Sequence, residues 1–150
     1  MSTRKVLRLE LPHATTLMVR DDCLCLHVQR AARALARHFD TVFRPLDLTN
    51  GQFSLLMSLN RPQPASIGDV AELLAMDRTT LTAALKPLQR RGLVKVTVDK
   101  QDKRSRRLML TPAGHALLGK AFPLWKTAHA EVERSISGPD VVRAALRALA

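Results

Sequence analysis

Aromatic residues are scarce in this sequence: it has no tyrosine, one tryptophan and four phenylalanines among 150 residues. Proteins that read single-stranded nucleic acids stack bases on exposed aromatic side chains, so this shortage argues against that class. Long apolar runs are missing as well, because the longest stretch without a charged residue, residues 48–60, is too short to span a bilayer. We therefore expect neither a single-strand reader nor a membrane protein.

Cysteine is equally scarce, since Cys23 and Cys25 are the only two. Two thiols one residue apart do not form the disulfide framework of a small secreted protein, so we expect a cytoplasmic protein. Catalytic motifs are also missing: there is no glycine-rich phosphate loop, no His-Glu-x-x-His motif and no nucleophile elbow. No two histidines are spaced to bind a metal from one helix face. The sequence predicts no enzymatic activity, no metal and no cofactor.

Acidic residues are too few to balance the basic ones: 13 Asp and Glu oppose 24 Lys and Arg, which gives a formal charge of +11. An excess of this size suggests a polyanionic partner, with nucleic acid ahead of an anionic membrane. The excess is concentrated at residues 86–107, which hold nine basic and two acidic residues. Such a stretch often forms a solvated face, but its single sign favours a binding surface here.

The spacing of apolar residues predicts a mainly helical chain that follows a flexible, basic arm at residues 1–21. Steps of three and four indicate helices at residues 22–44, 51–59, 66–76, 77–91, 112–137 and 140–150. Common N-cap residues precede four of them: Thr49, Ser66, Asp77 and Thr111. Gly92 is expected to adopt a left-handed conformation after the fourth helix. Between Gly92 and Thr111, strands at residues 93–98 and 107–110 are expected to form a basic hairpin.

Two short helices followed directly by a basic hairpin are typical of a winged helix-turn-helix. In that arrangement the N-terminal end of the second helix enters the major groove of DNA, and the hairpin lies beside it as a wing. Here the second helix begins with Arg78, Thr79 and Thr80, and Thr82 follows one residue further on. Capping and packing of the helix start would also explain the threonines. The expected fold class is mainly α with a small β-wing.

The sequence resembles the MarR family of bacterial transcription regulators. Four stretches carry the resemblance: LTNGQF at residues 48–53, AELLAMDRTTLTAALKPLQRRGLV at 71–94, DKQDKR at 99–104 and LTPAG at 110–114. The resemblance implies a single domain at residues 22–150 that forms a homodimer through helices at residues 22–47 and 112–150. It also implies a winged-helix DNA-binding lobe at residues 48–111, with an effector cleft between the lobe and the dimerisation helices.

The same resemblance implies which residues contact double-stranded DNA. Arg104 at the wing tip is expected to enter the minor groove, held by Asp102, and only one of Arg106 and Arg107 is expected to face DNA. The full expected set is Arg78, Thr79, Thr80, Thr82, Lys86, Arg104 and Arg106. The sequence departs from the family at Ala83, where many members have an arginine, so one DNA contact is expected to be missing.

The resemblance also suggests two ways of controlling DNA binding. Cys25 lies 27 residues before Gln52, the spacing of the peroxide-reactive cysteine in the organic-hydroperoxide-sensing branch of the family. That branch holds its thiolate with tyrosine hydroxyls, which this chain lacks, so a role for Cys25 as a small buried residue stays open. The other control is a small anionic aromatic effector bound in the cleft. Its expected anchors are Arg33, Arg37 and Phe39, although pairing with acidic neighbours would also explain the two arginines.

These observations predict a homodimeric transcription regulator that represses from a pseudo-palindromic operator in the bacterial cytoplasm. A small ligand or the oxidation of a thiol would release it from DNA. The alternative is a sequence-neutral architectural DNA-binding protein that uses its charge alone. The two differ at physiological salt, where a specific regulator keeps its preference for the operator and a charge-only binder has none.

Overall fold

The computed structural model describes residues 10–150. The chain divides into two compact units, one that extends up to Leu35 and one from Ala36 to Ala150. The first unit contains helix α1 (His13–Asp22) and the beginning of helix α2 (Leu24–Phe43).

Helix α1 lies almost entirely within residues 1–21, where the sequence predicts a flexible arm. The structure is helical there from His13 onward, residues 1–9 lie outside the described residues, and the flexibility of the arm stays a prediction. The helix starts after Pro12 without a side-chain cap, and it buries none of its residues. Because it has neither a capping residue nor a buried apolar stripe, it lacks both signals from which a helix is predicted.

The second unit contains the end of α2, a short 3-10 turn (Arg44–Leu46) and five further helices. These are α3 (Asn50–Ser58), α4 (Ile67–Leu73), α5 (Arg78–Arg90), α6 (Pro112–Arg134) and α7 (Pro139–Leu149). The predicted caps are confirmed, because a side-chain oxygen of each accepts a hydrogen bond from the first helical turn: Thr49, Ser66, Asp77 and Thr111. Thr49 and Ser66 form complete capping boxes with Gln52 and Asp69.

A three-stranded antiparallel sheet completes this unit. Its strands are β1 (Ala65–Ser66), β2 (Val94–Val98) and β3 (Arg106–Leu110), and their order in the sheet is β1-β3-β2. Strands β2 and β3 confirm the predicted hairpin, with Val94 opposite Leu110. Strand β1 was not predicted from the sequence, because two residues are too few to show an alternating pattern.

Leucines from several elements and a ladder of aromatic rings form the core. The largest fully buried side chains are Phe43, Leu56, Val70, Leu81, Leu88 and Leu108. The Phe43 and Phe53 rings stack with their centroids 4.6 Å apart, and Phe53 lies 6.4 Å from Trp125 on α6. Trp125 in turn stacks on His129 at 4.6 Å. The ladder therefore joins α2, α3 and α6.

Helix α6 begins against the segment that follows α5. The Thr111 hydroxyl donates to the Gly92 carbonyl at 2.6 Å, and the Thr111 N–H donates to the Leu93 carbonyl at 3.0 Å. Gly114 lies so close to the Leu93 carbonyl that an added Cβ would overlap it. Gly92 has a φ of +69°, which confirms the predicted left-handed conformation. The LTPAG motif thus fixes α6 to the end of α5.

Helix α7 leaves its apolar face uncovered. Val141 is 73% exposed and Leu149 65% exposed, and Val142 and Leu146 are also exposed. On the other side of the helix, Arg143 is hydrogen-bonded to Glu133 of α6 and to Asp140. Within residues 10–150, none of the helices combines the length and apolar character needed to cross a membrane.

Candidate nucleic-acid interface

Helix α5 presents one polar face to solvent because its other face is buried. Leu81, Leu85 and Leu88, spaced four and three residues apart, turn inward. A shallow groove of about 330 Å³ lies on the exposed face of the helix. That groove is lined by Arg78, Thr79, Thr82, Ala83 and Lys86. Four of the seven predicted DNA-contacting residues therefore share one exposed helix face.

Asp77 organises the start of α5. Its carboxylate accepts hydrogen bonds from the Thr80 hydroxyl at 2.6 Å and from the Thr80 N–H at 2.8 Å, which hold the pKa of Asp77 below its usual range. The Thr82 hydroxyl donates to the Arg78 carbonyl at 2.8 Å. The hydroxyls of Thr80 and Thr82 therefore already have partners within the helix, as the capping alternative requires. Both side chains remain exposed.

The wing is organised by Asp99, which is only 8% exposed. Its carboxylate accepts from the N–H groups of Gln101 at 2.7 Å and Asp102 at 3.3 Å, and from Arg107 Nε at 2.5 Å. The backbone bond from Gln101 and the side-chain bond from Arg107 are the main reasons that the pKa of Asp99 is lowered. Sequence reasoning missed this role; the signal was one acidic residue where β2 meets the basic tip.

Asp102 contacts Arg104 at the wing tip, where its Oδ1 accepts a hydrogen bond from the Arg104 backbone N–H at 3.0 Å. The expected role of Asp102 in holding Arg104 on DNA stays a prediction. The exposed Arg104 guanidinium makes no hydrogen bond with any described residue. Arg106 is also exposed, whereas Arg107 is half-buried against Asp99. The expectation that only one of these two arginines faces DNA stays a prediction.

A groove of about 500 Å³ lies between α5 and the wing. It brings together four of the predicted residues, which are Arg78, Thr82, Arg104 and Arg106. Its other lining residues are Ser66, Ile67, Gly68, Asp102 and Ser105. The Arg78 guanidinium lies across Gly68, where an added Cβ would be 3.2 Å from Nη2. Three arginines and one aspartate give the groove a positive charge that suits an anionic partner.

The residues predicted for control of binding lie on α2. In the first unit, Gln29 Nε2 donates to Cys25 Sγ at 3.1 Å, and Arg33 Nη2 donates to Gln29 Oε1 at 3.3 Å. The Cys25 thiol is exposed on the single chain. In the second unit, Arg37 is exposed, and the half-buried Phe39 lies 6.0 Å from the Phe43 ring. The effector anchors Arg33, Arg37 and Phe39 stay a prediction.

Known proteins resemble this chain in both sequence and fold. The sequence model of the MarR family matches residues 48–105. The M. tuberculosis transcriptional regulator MosR, solved in complex with DNA, is 38% identical with a TM-score of 0.80; the alignment covers 85% of this chain and 93% of that one. HTH-type transcriptional regulator TtmR of Methylorubrum extorquens is 33% identical over 100 residues, which are 67% of this chain and 51% of TtmR. This chain therefore spans about half the length of TtmR.

A third relative is named for resistance to organic hydroperoxides. The organic hydroperoxide resistance transcriptional regulator of Bacillus subtilis is 27% identical over 107 residues, which are 71% of this chain and 73% of the relative.

The matched region contains most of the features described above. Residues 48–105 include α3, α4, α5, strand β2 and the wing tip with Asp99 and Arg104. The helical architecture with its small β-wing confirms the predicted fold class and coincides with that of MosR. The chain belongs to the MarR family of winged helix-turn-helix regulators.

Proposed function

We propose that this protein is a homodimeric repressor that binds a pseudo-palindromic operator in double-stranded DNA. The observation that carries the proposal is the shared groove of Arg78, Thr82, Arg104 and Arg106 between α5 and the wing. An exposed helix start beside a basic hairpin has the shape and charge needed to enter a major groove and contact the adjacent backbone. The DNA complex of MosR, which has the same fold, supports this assignment.

Within this proposal, the outward face of α5 reads base edges or phosphates, and Arg104 enters the minor groove. Arg78 and Lys86 provide flexible cations on α5, and both are exposed. Arg104 is free to reach DNA because Asp102 is bonded to its backbone and leaves the guanidinium unengaged by described residues. The hydrogen bonds of Asp99 hold the wing in one conformation before binding, which reduces the conformational entropy that the wing loses when it binds DNA.

Two copies of the chain are needed for a two-fold operator. The uncovered apolar face of α7 supports a homodimer, since Val141, Leu146 and Leu149 stay exposed on the single chain. Two recognition helices carried by such a dimer enter successive major grooves when they lie about 34 Å apart, one turn of DNA.

The assignment is tested with DNA that the protein itself selects from a random pool. We expect R78A/R104A to abolish binding to the selected site while leaving the oligomeric state unchanged. The charge-matched control is K120A/K126A, which removes two exposed lysines from α6, away from the groove. Fluorescence anisotropy on labelled DNA measures the affinity of both double variants, and sedimentation velocity measures their oligomeric state. Unchanged affinity of R78A/R104A would contradict the assignment.

A charge-only architectural binder is the competing function, and the net charge of +11 favours it. Titrating salt on selected and random duplexes separates the two. A specific regulator keeps at least about a thousandfold preference for its site at physiological salt. If binding to both duplexes falls together without any preference, the protein is an architectural binder.

We further propose that an organic hydroperoxide releases the protein from DNA through Cys25. The Cys25 thiolate attacks the terminal peroxide oxygen, and an S–O bond forms as the O–O bond breaks, so that the sulfur becomes a sulfenic acid. The leaving alkoxide takes a proton from water and departs as an alcohol. Exposure of the thiol and the hydrogen bond from Gln29, itself oriented by Arg33, support this role. In this chain an amide takes the place that tyrosine hydroxyls have in the peroxide-sensing branch of the family.

Peroxide-treated wild-type protein is expected to lose DNA binding and to regain it with a thiol reductant. The C25S variant is expected to stay bound throughout. C23S is the matched control, since the Cys23 sulfur is engaged by the Leu26 N–H at the start of α2. If peroxide leaves the wild type bound, or releases C25S as readily, Cys25 is not a sensor.

A further inference from the structure

Helix α5, which we propose enters the major groove, is attached at its C-terminal end to the turn between α2 and α3. Arg91 directly follows α5, and its Nη1 donates to the Asp47 carbonyl at 2.6 Å while Nη2 donates to the Leu46 carbonyl at 3.4 Å. These acceptors lie 44 and 45 residues away in the sequence. One guanidinium therefore connects the end of α5 to a distant segment of the chain.

The turn that receives Arg91 is itself held in place. Asp47 follows the 3-10 turn with a φ of +52°, a left-handed conformation that is uncommon outside glycine. Asn50, three residues after Asp47, donates two hydrogen bonds to the Asp40 carboxylate on α2, one from its backbone N–H at 2.7 Å and one from its side-chain amide at 2.9 Å. The carbonyls that Arg91 contacts thus belong to a fixed support at the end of α2.

Arg91 is remote from the proposed DNA surface. It lies thirteen positions after Arg78, which corresponds to about 20 Å along a helix. It lines a separate depression with residues of the α2–α3 turn, and this depression shares no lining residue with the groove between α5 and the wing. A tilt of α5 of about 10° at this end would move its reading end by about 3 Å, enough to break hydrogen bonds to bases.

We propose that Arg91 is a positioning residue for DNA recognition: through the Leu46 and Asp47 carbonyls it fixes the tilt of α5, and it does not itself contact DNA. This inference rests on the proposed function of the chain as a site-specific DNA-binding protein. The fork of the guanidinium is essential, because two of its N–H groups reach two carbonyls at once. A lysine keeps the charge but lacks this rigid fork.

The test compares R91K and R91A with the wild type on the selected site and on a random duplex, at several salt concentrations. The matched control is R90A, because Arg90 is exposed and makes no side-chain hydrogen bond with the described residues. We expect R91K and R91A to weaken binding to the selected site by about three- to thirtyfold. R91K should bind random DNA as the wild type does, with an unchanged salt slope. R90A should keep its preference for the selected site.

Other outcomes overturn the inference. If R91K binds like the wild type while R91A lowers the salt slope by about one, Arg91 contacts a phosphate. If both variants match the wild type, the two carbonyl contacts do not matter for recognition. If both lose selected and random DNA equally, with an altered circular dichroism spectrum, Arg91 only maintains the fold. Failure of the proposed function differs from all of these, because the wild type itself then shows no preference among duplexes.

Discussion

Asp99 stabilises the wing at the scale of a single side chain. Its carboxylate binds two backbone N–H groups of the tip and Arg107 of the returning strand. Asp77 at the start of α5 and Asp40 at the end of α2 are engaged in the same way, by hydrogen bonds to their charged forms. Asp77 and Asp99 thus hold the start of α5 and the wing in shape, while Asp40 holds the segment between α2 and α3.

The lowered pKa values of these carboxylates predict how stability depends on pH. Because the folded state holds the carboxylates charged, it binds fewer protons than the unfolded chain around the usual carboxylate pKa, about 4. Their contribution is complete above that pH and is lost as the pH falls through the lowered pKa of the folded state. We expect the D77N/D99N double variant to be less stable than the wild type at pH 7 and to lose less stability on acidification. Urea unfolding followed by circular dichroism from pH 7 to pH 3 checks this; parallel curves would contradict it.

Most helices and strands could be predicted from the sequence because short-range patterns within or next to each element specify it. Caps at Thr49, Ser66, Asp77 and Thr111, the left-handed Gly92 and the alternating valines of β2 all lie within a few residues of what they specify. Strand β1 could not be predicted, because its pairing of Ala65 with Leu108 depends on a residue 43 positions further along the chain. Helix α1 escaped prediction because it buries nothing.

Two glycines on α6 give a prediction for element packing. In G114A the new methyl group meets the Leu93 backbone carbonyl, which cannot move aside like a side-chain tip, so we expect a loss of about 1–3 kcal/mol in unfolding free energy. In G119A the methyl group meets open space, and higher helix propensity should stabilise the protein by up to about 1 kcal/mol. Urea denaturation of both variants measures the difference. Equal stabilities would show that α6 does not need its close approach to Leu93.

For the whole molecule, composition pointed to a polyanionic partner, but the sequence did not reveal which residues would share a groove. Ser66 and Gly68 line it beside Arg104 although they lie far apart in the chain. Asp102 contacts Arg104 two residues away, as a local pattern can predict, whereas Asp99 contacts Arg107 on the returning strand and depends on the folded hairpin. Such pairings depend on the packing of distant segments, and no local pattern encodes them.

The proposed dimer gives a prediction at the same scale. L146D places a carboxylate on the uncovered apolar face of α7, where burial in a dimer would be costly, so we expect a monomer at concentrations at which the wild type is dimeric. The control A144D introduces the same group next to the polar side of the helix, where Asp140 lies. Sedimentation velocity distinguishes the two species. A monomeric wild type, or dimeric L146D, would contradict the role of this face.

The aromatic ladder has a consequence for spectroscopy. Trp125 is the only tryptophan in the sequence, and the sequence has no tyrosine, so the ultraviolet fluorescence of the protein comes from one side chain. The indole of Trp125 lies between the Phe53 ring of α3 and the imidazole of His129. Any event that changes how α3 meets α6 alters the quantum yield of this one fluorophore. The protein therefore contains its own label, and the movement of these two helices on binding DNA can be followed without attaching a dye.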